Sequence, residues 1–123
     1  LTGLTPVAVA VRGTGGSLHR GTGYTSPEGE ALVPLRGLVD RAAHVYWDES
    51  GRTVSLLGPD DVLSVHFRGA RAEARSAVLN GEVITAHAVF CDGQVYLPVG
   101  LVAAVLHLEV EQPSAEALHL SPR

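Results

Sequence analysis

The stretch Gly29-Glu30-Ala31-Leu32-Val33-Pro34-Leu35-Arg36 is the most informative in the chain, because it recurs 64 residues later as Gly93-Gln94-Val95-Tyr96-Leu97-Pro98-Val99-Gly100. Gly29 matches Gly93, Val33 matches Leu97 and Pro34 matches Pro98. Further on, Leu38 matches Val102, Ala42 matches Leu106, Ser50 matches Ser114 and Leu56 matches Leu120. No gap is needed between residues 29–56 and 93–120. Each copy reads as strand, proline, short helix, hairpin. The proline ends an extended segment and starts a helix through its fixed φ and missing donor.

Helical spacing of Leu35, Leu38, Val39 and Ala42 predicts a helix over 35–43. Val99, Val102, Ala103 and Leu106 predict a second, ending near His107. Val45-Tyr46-Trp47 and Thr53–Leu57 flank a turn and predict a hairpin. Leu63, Val65 and Phe67 alternate with Val62, Ser64, His66 and Arg68, as in a half-buried antiparallel strand whose triplet faces the core. Ala70–Leu79 reads as a strand or a helical turn, and Asn80-Gly81 favours the strand as a two-residue hairpin turn. As a strand it puts Arg71, Glu73 and Arg75 on one face and Ala72, Ala74 and Ser76 on the other. Glu82-Val83-Ile84 is its partner. Val7–Val11 is an opening strand and Leu108–Leu120 a closing hairpin. Five glycines between Gly13 and Gly23 predict a flexible loop, the most mobile internal stretch. The expected fold class is α+β: one domain over residues 1–123, with an antiparallel sheet curved around two short helices.

The 123 residues are 46% hydrophobic, too apolar for disorder, and no 20-residue apolar run spans a bilayer. Nine basic residues, all Arg, face 13 acidic ones for a net charge of −4, and the Arg residues do not cluster. A nucleic-acid partner is not expected from that pattern. The single cysteine, Cys91, excludes an intrachain disulfide, and no base and oxyanion set marks it as a nucleophile. The glycine segment lacks the lysine of a phosphate loop. A chain starting at Leu1 without Met fits a processed mature protein, an excised domain or part of a larger hydrolase or oxidase.

The pattern Val33-Pro34-Leu35-Arg36, a short helix, Val45-Tyr46-Trp47-Asp48 and Thr53-Val54-Ser55-Leu56 resembles the copper amine oxidase N-terminal-like domain family. The central Ala77-Val78-Leu79-Asn80-Gly81-Glu82 and the later Gly93–Pro98 segment resemble it too. The second copy departs from the pattern, with Gly100 where the first has Arg36 and Glu111-Gln112 where it has Trp47-Asp48. The resemblance implies a non-catalytic structural or interaction module of an exported bacterial envelope protein, periplasmic or envelope-associated. Its partners would be other envelope proteins or cell-wall polymer. It implies no catalytic residue and no cofactor, since the family's copper belongs to another domain of the oxidases.

Six histidines keep a copper-binding redox protein, including a copper-dependent superoxide dismutase, as the alternative. His44, His66, His87 and His107 are its candidate ligands. The repeat offset sets His107 opposite Ala43, beside His44, so a pseudo-axis could pair those two. A site would need three or four such ligands converging in space. Arg36 at the predicted first helix should find Asp48 or Asp40 as a salt-bridge partner. Tyr46 and Trp47 alternate on one strand, so one ring faces out and offers a contact for a protein or glycan, and Tyr24 is a second such ring.

Overall fold

The computed structural model describes residues 3–12, 18–35, 44–69 and 71–122, with the side chains of His19, His44 and Pro122 outside the described set. The strands are β1 (Thr5–Arg12), β2 (Leu18–Thr25), β3 (Ala31–Pro34), β4 (His44–Asp48), β5 (Thr53–Leu57) and β6 (Val62–His66). They continue as β7 (Glu73–Leu79), β8 (Glu82–Cys91), β9 (Gln94–Pro98), β10 (Leu108–Ser114) and β11 (Ala117–Pro122). One helix, α1 (Val99–Leu106), follows β9. Among the described residues, all eleven strands join one sheet in the order β10-β11-β1-β2-β3-β9-β8-β7-β6-β5-β4.

The expected α+β class is therefore corrected to a mostly β fold, with one helix among the described residues. Two stretches not read as strands belong to the sheet. The first is residues 18–23, in β2. There Gly23 faces inward so closely that a Cβ would sit 2.4 Å from the Leu32 carbonyl oxygen and 3.0 Å from Val9 Cγ2. The glycine there marks a tight approach of backbone to core, not a loop. The rest of the predicted loop, 13–17, lies outside the described residues. The second is Thr85–Cys91, which extends β8 to ten residues, well beyond the three-residue partner expected for Asn80-Gly81.

The helix after Pro98 is as expected: Pro98 sits at its N-cap with φ −55, and His107 closes it in the left-handed conformation with φ 57. Residues 36–43 of the other predicted helix, with the expected burial of Leu38 and Val39, lie outside the described residues. Asn80-Gly81 and Asp92-Gly93 both have positive φ and join β7 to β8 and β8 to β9. Positive φ at both central residues is the geometry of the tight hairpin turn that matches strand twist.

The sheet is mixed, which corrects the all-antiparallel expectation. β1 pairs parallel with β11, Val9 opposite Leu118, while every other pairing is antiparallel. The repeat explains this. Counting outward from the central β3–β9 pair, β2 answers β8, β1 answers β7, and β11–β10 answer β5–β4. β6 has no counterpart among the described strands. On its side, β5 reaches β7 through two antiparallel steps and so runs parallel to it. On the other side no strand intervenes, and β11 lies parallel against β1 directly. Each repeat sends its hairpin to the opposite end of the sheet.

Leu63, Val65 and Phe67 are buried, in the expected phase, as are Val102 and Leu106. The alternation expected for β7 holds through Ala74 and then slips. A register shift between Ala74 and Ser76 leaves Arg75 and Ser76 both exposed and turns Ala77 inward. One hydrophobic cluster takes in Val7, Val54, Phe67, Ala88, Val105 and Leu118, from both ends of the strand order. Eleven strands laid flat would span roughly 50 Å, so a shared core requires the sheet to curl on itself. The end of β5 then meets α1, where Gly58 abuts the Val105 carbonyl. A small second cluster of Leu32, Val89 and Tyr96, flanked by Leu4, Tyr24 and Cys91, covers the outer face of the central strands. No described helix is long and apolar enough to cross a membrane.

Candidate functional site: a charged groove on the outer face

The strand Val7-Ala8-Val9-Ala10-Val11 turns its valines to the core and its alanines outward. On β11, Leu118 and Leu120 face the core and Ala117, His119 and Ser121 alternate with them. Small outward side chains leave a groove of about 450 Å³ across β10, β11, β1 and β2. Register places its charged groups. Ala10 stands opposite Arg20 on one side and His119 on the other, and His119 stands opposite Glu111. Glu111, His119, Ala10 and Arg20 thus form one lateral row. Arg12 lies two residues along β1 from Ala10 on the same face, opposite Leu18. Arg12, Arg20, Glu111 and His119 are exposed, and none has a hydrogen bond or ion pair among the described residues. The arrangement can hold an anion at the arginine end and a cation at the Glu111 end.

Sequence reasoning missed this groove because it placed Arg20 in a loop. The signal was present. Leu18, Arg20, Thr22 and Tyr24 alternate with His19, Gly21, Gly23 and Thr25, a period of two with both glycines on one face.

The aromatic candidates fall elsewhere. Tyr46 is the outward ring of β4, 58% exposed. Trp47 faces in, its ring centroid 5.1 Å from Phe90 and 6.4 Å from Phe67, and its indole N–H is donated to Glu49 Oε2. The Arg52 guanidinium lies over the nearer of those two rings, 5.2 Å from the Phe90 centroid. A cleft of about 310 Å³ opens between Trp47, Val45, Phe90 and Val95. Tyr24, expected exposed in the loop, is half-buried in β2 with its ring edge-on to Tyr96 at 5.3 Å. Asp48 serves its own turn: it accepts from the Ser50 hydroxyl at 2.9 Å, and that bond, with the Gly51 N–H, holds its carboxyl below the usual value. Arg36 and Asp40 lie outside the described residues.

Of the histidine candidates, His66, His87 and His107 have separate neighbours, and the side chain of His44 lies outside the described set. His66 is exposed on β6 and hydrogen-bonds Thr53 Oγ1 through Nδ1 at 3.1 Å. His87 is 11% exposed, and neither ring nitrogen makes a hydrogen bond among the described residues, though Nε2 lies 3.5 Å from Glu73 Oε2. Glu73 also meets Arg75 at 3.3 Å, and Arg75 reaches Glu28 at 3.7 Å. A hydrogen bond from its own backbone N–H holds the Glu28 carboxyl below its usual value, helped by the Ser26 hydroxyl and then by the Arg75 charge. His107 Nε2 lies 3.5 Å from Asp60 Oδ2 at the end of α1. His44 opens β4 and His107 immediately precedes β10, the two outermost strands of the sheet order. Among the described residues, no three His, Cys, Asp or Glu side chains come together as a metal site. Cys91 is a half-buried free thiol beside the Tyr24–Tyr96 cluster. No protein-family model, curated protein or solved structure matches the chain.

Proposed function

We propose that this chain is a non-catalytic binding module of an exported bacterial envelope protein, needing no cofactor, that holds another envelope protein or cell-wall polymer. The observation that carries the binding part is the outer-face groove, where Arg12, Arg20, Glu111 and His119, without partners among the described residues, surround outward alanines. Unpaired charges gathered around a concave surface gain energy when a complementary group displaces water, and a rigid sheet holds them without cost in order. The envelope setting rests on the likeness of Val33–Arg36, Val45–Asp48 and Thr53–Leu56 to the copper amine oxidase N-terminal-like family.

Co-sedimentation with purified, insoluble bacterial cell wall tests this reading. The whole chain should pellet with the wall, and Arg20→Glu should release it while leaving the thermal melt unchanged. Failure to pellet, together with stoichiometric copper retained through dialysis against a mild chelator and superoxide dismutation, would replace this reading with the copper one.

A further inference from the structure

We infer that the outer-face groove binds a short, extended peptide with small side chains and both termini free, its carboxylate at Arg20 and Arg12 and its ammonium at Glu111. The inference rests on the binding-module reading and adds the chemistry of the ligand. Three features point to it. First, the row from Glu111 through His119 and Ala10 to Arg20 crosses three strand spacings, roughly 14 Å between the outer Cα atoms. Three to four extended residues span about 10–14 Å, so a peptide of that length reaches from one charge to the other.

Second, the charges at the two ends have opposite sign. Arg20 and Arg12 share a face around Ala10, and guanidinium forks bind a carboxylate in paired, charge-assisted hydrogen bonds. Glu111 stands at the far end with no cation against it among the described residues. A polyanion would set one of its charges against Glu111, and an uncharged chain would leave both ends desolvated and unpaired. A zwitterion satisfies both. His119, between the ends, can hydrogen-bond the peptide backbone.

Third, the floor selects for size. Ala10 lies between the charged ends and the paired Ala8 and Ala117 lie beside the row, so a peptide backbone can lie close against the sheet there if its own side chains are small. The volume of about 450 Å³ suits a short peptide segment.

Titration calorimetry with tetra-alanine as the probe, on the whole chain, tests the assignment. Free tetra-alanine should bind, and C-terminal amidation should weaken it about tenfold or more, the scale of one charged hydrogen-bond pair. N-acetylation should weaken it to a similar degree. Arg20→Gln should remove the preference for a free carboxylate, and Glu111→Gln should remove the preference for a free amine while leaving acetylated peptide unaffected. That crossed pattern is one a loss of folding does not produce. Equal binding of amidated and free peptide, equal binding of acetylated and free peptide, or no binding at millimolar peptide would each overturn the inference. If the peptide fails yet Arg20-dependent co-sedimentation with cell wall persists, the ligand assignment alone falls; if both fail, the binding reading falls with it.

Discussion

Val33 in β3 and Leu97 in β9 face each other across the centre of the sheet, and they are also the same position of the two sequence repeats. Their neighbours follow from this: Leu32 pairs with Pro98 and Pro34 with Tyr96, so under the offset of 64 these two pairs exchange with each other while Val33–Leu97 maps onto itself. A pseudo-two-fold axis therefore passes through the Val33–Leu97 pair. Both side chains are fully buried in the main core.

That pair should be strongly coupled. Leu97→Ala should cost about 2–5 kcal/mol and Val33→Ala about 2 kcal/mol. The double variant should deviate from additivity by about 0.5–3 kcal/mol, because each truncation opens space the other side chain can use. Denaturant unfolding followed by the fluorescence of Trp47, the only tryptophan, measures all three. Strict additivity would show that the two side chains do not share a contact.

The glycines of β2 should differ sharply from one another. A Cβ on Gly23 collides with the Leu32 carbonyl, whereas one on Gly21 meets only Pro34 Cγ at 3.8 Å. Gly23→Ala should therefore cost about 1–3 kcal/mol as an overpacked site, and Gly21→Ala should be neutral or slightly stabilising. Matching melting curves for the two variants would contradict the inward phase of this strand.

Asn80 fastens the β7–β8 turn to the turn before β6. Its Oδ1 accepts from the Val62 N–H at 2.9 Å, its Nδ2 donates to Asp61 Oδ1 at 2.7 Å, and its own φ is 51. Asn80→Ala loses both bonds and places an alanine in a left-handed conformation, for an expected loss of about 1–3 kcal/mol. Asn80→Gly should recover part of it by removing the backbone strain, and a Gly variant no better than Ala would refute that division.

Alkaline pH should act through Tyr96. Burial in the outer cluster raises its phenol above the ordinary 10.0, with the nearby Tyr24, Cys91 and Asp92 adding to the shift. A group whose folded value is raised contributes stability below the unfolded value and loses it as pH climbs through the folded one. Stability should thus fall from about pH 10 upward, and Tyr96→Phe should flatten that limb. The acid limb runs the other way. Glu28 and Asp48 are held below 4.5 and 3.8, so their contribution is present above those values and fades as pH falls through the folded ones. A denaturation midpoint of Tyr96→Phe with the same alkaline slope as the parent chain would sink the Tyr96 assignment.

Much of the local structure is legible in the residues themselves. The offset of 64 predicts that β4 and β10, and β5 and β11, begin at equivalent positions, and they do: His44 answers Leu108 and Thr53 answers Ala117. Pro98 predicts the start of α1, Asn80-Gly81 the hairpin, and the Leu63-Val65-Phe67 alternation the inward face of β6 as far as Phe67. These features depend on backbone torsion limits and side-chain period, which act within a few residues and so are written in sequence.

Partner choice between distant strands is not written that way. Nothing local in Val7–Val11 says that Leu118 will lie parallel beside Val9, because that pairing depends on where the second repeat's hairpin goes after α1. Glycine carries two meanings, freedom in a loop and absence of bulk beside a core, and only the approach of the Leu32 carbonyl to Gly23 chooses between them. The candidate groove obeys the same logic. Arg12 and Arg20 come from the start of the chain and Glu111 and His119 from its end, and the β1–β11 pairing brings the two groups side by side on one face. Residue order specified most of the elements and their two-fold kinship; the sheet order, and with it any site built from both ends of the chain, waited on long-range hydrogen bonding and the burial of a shared core.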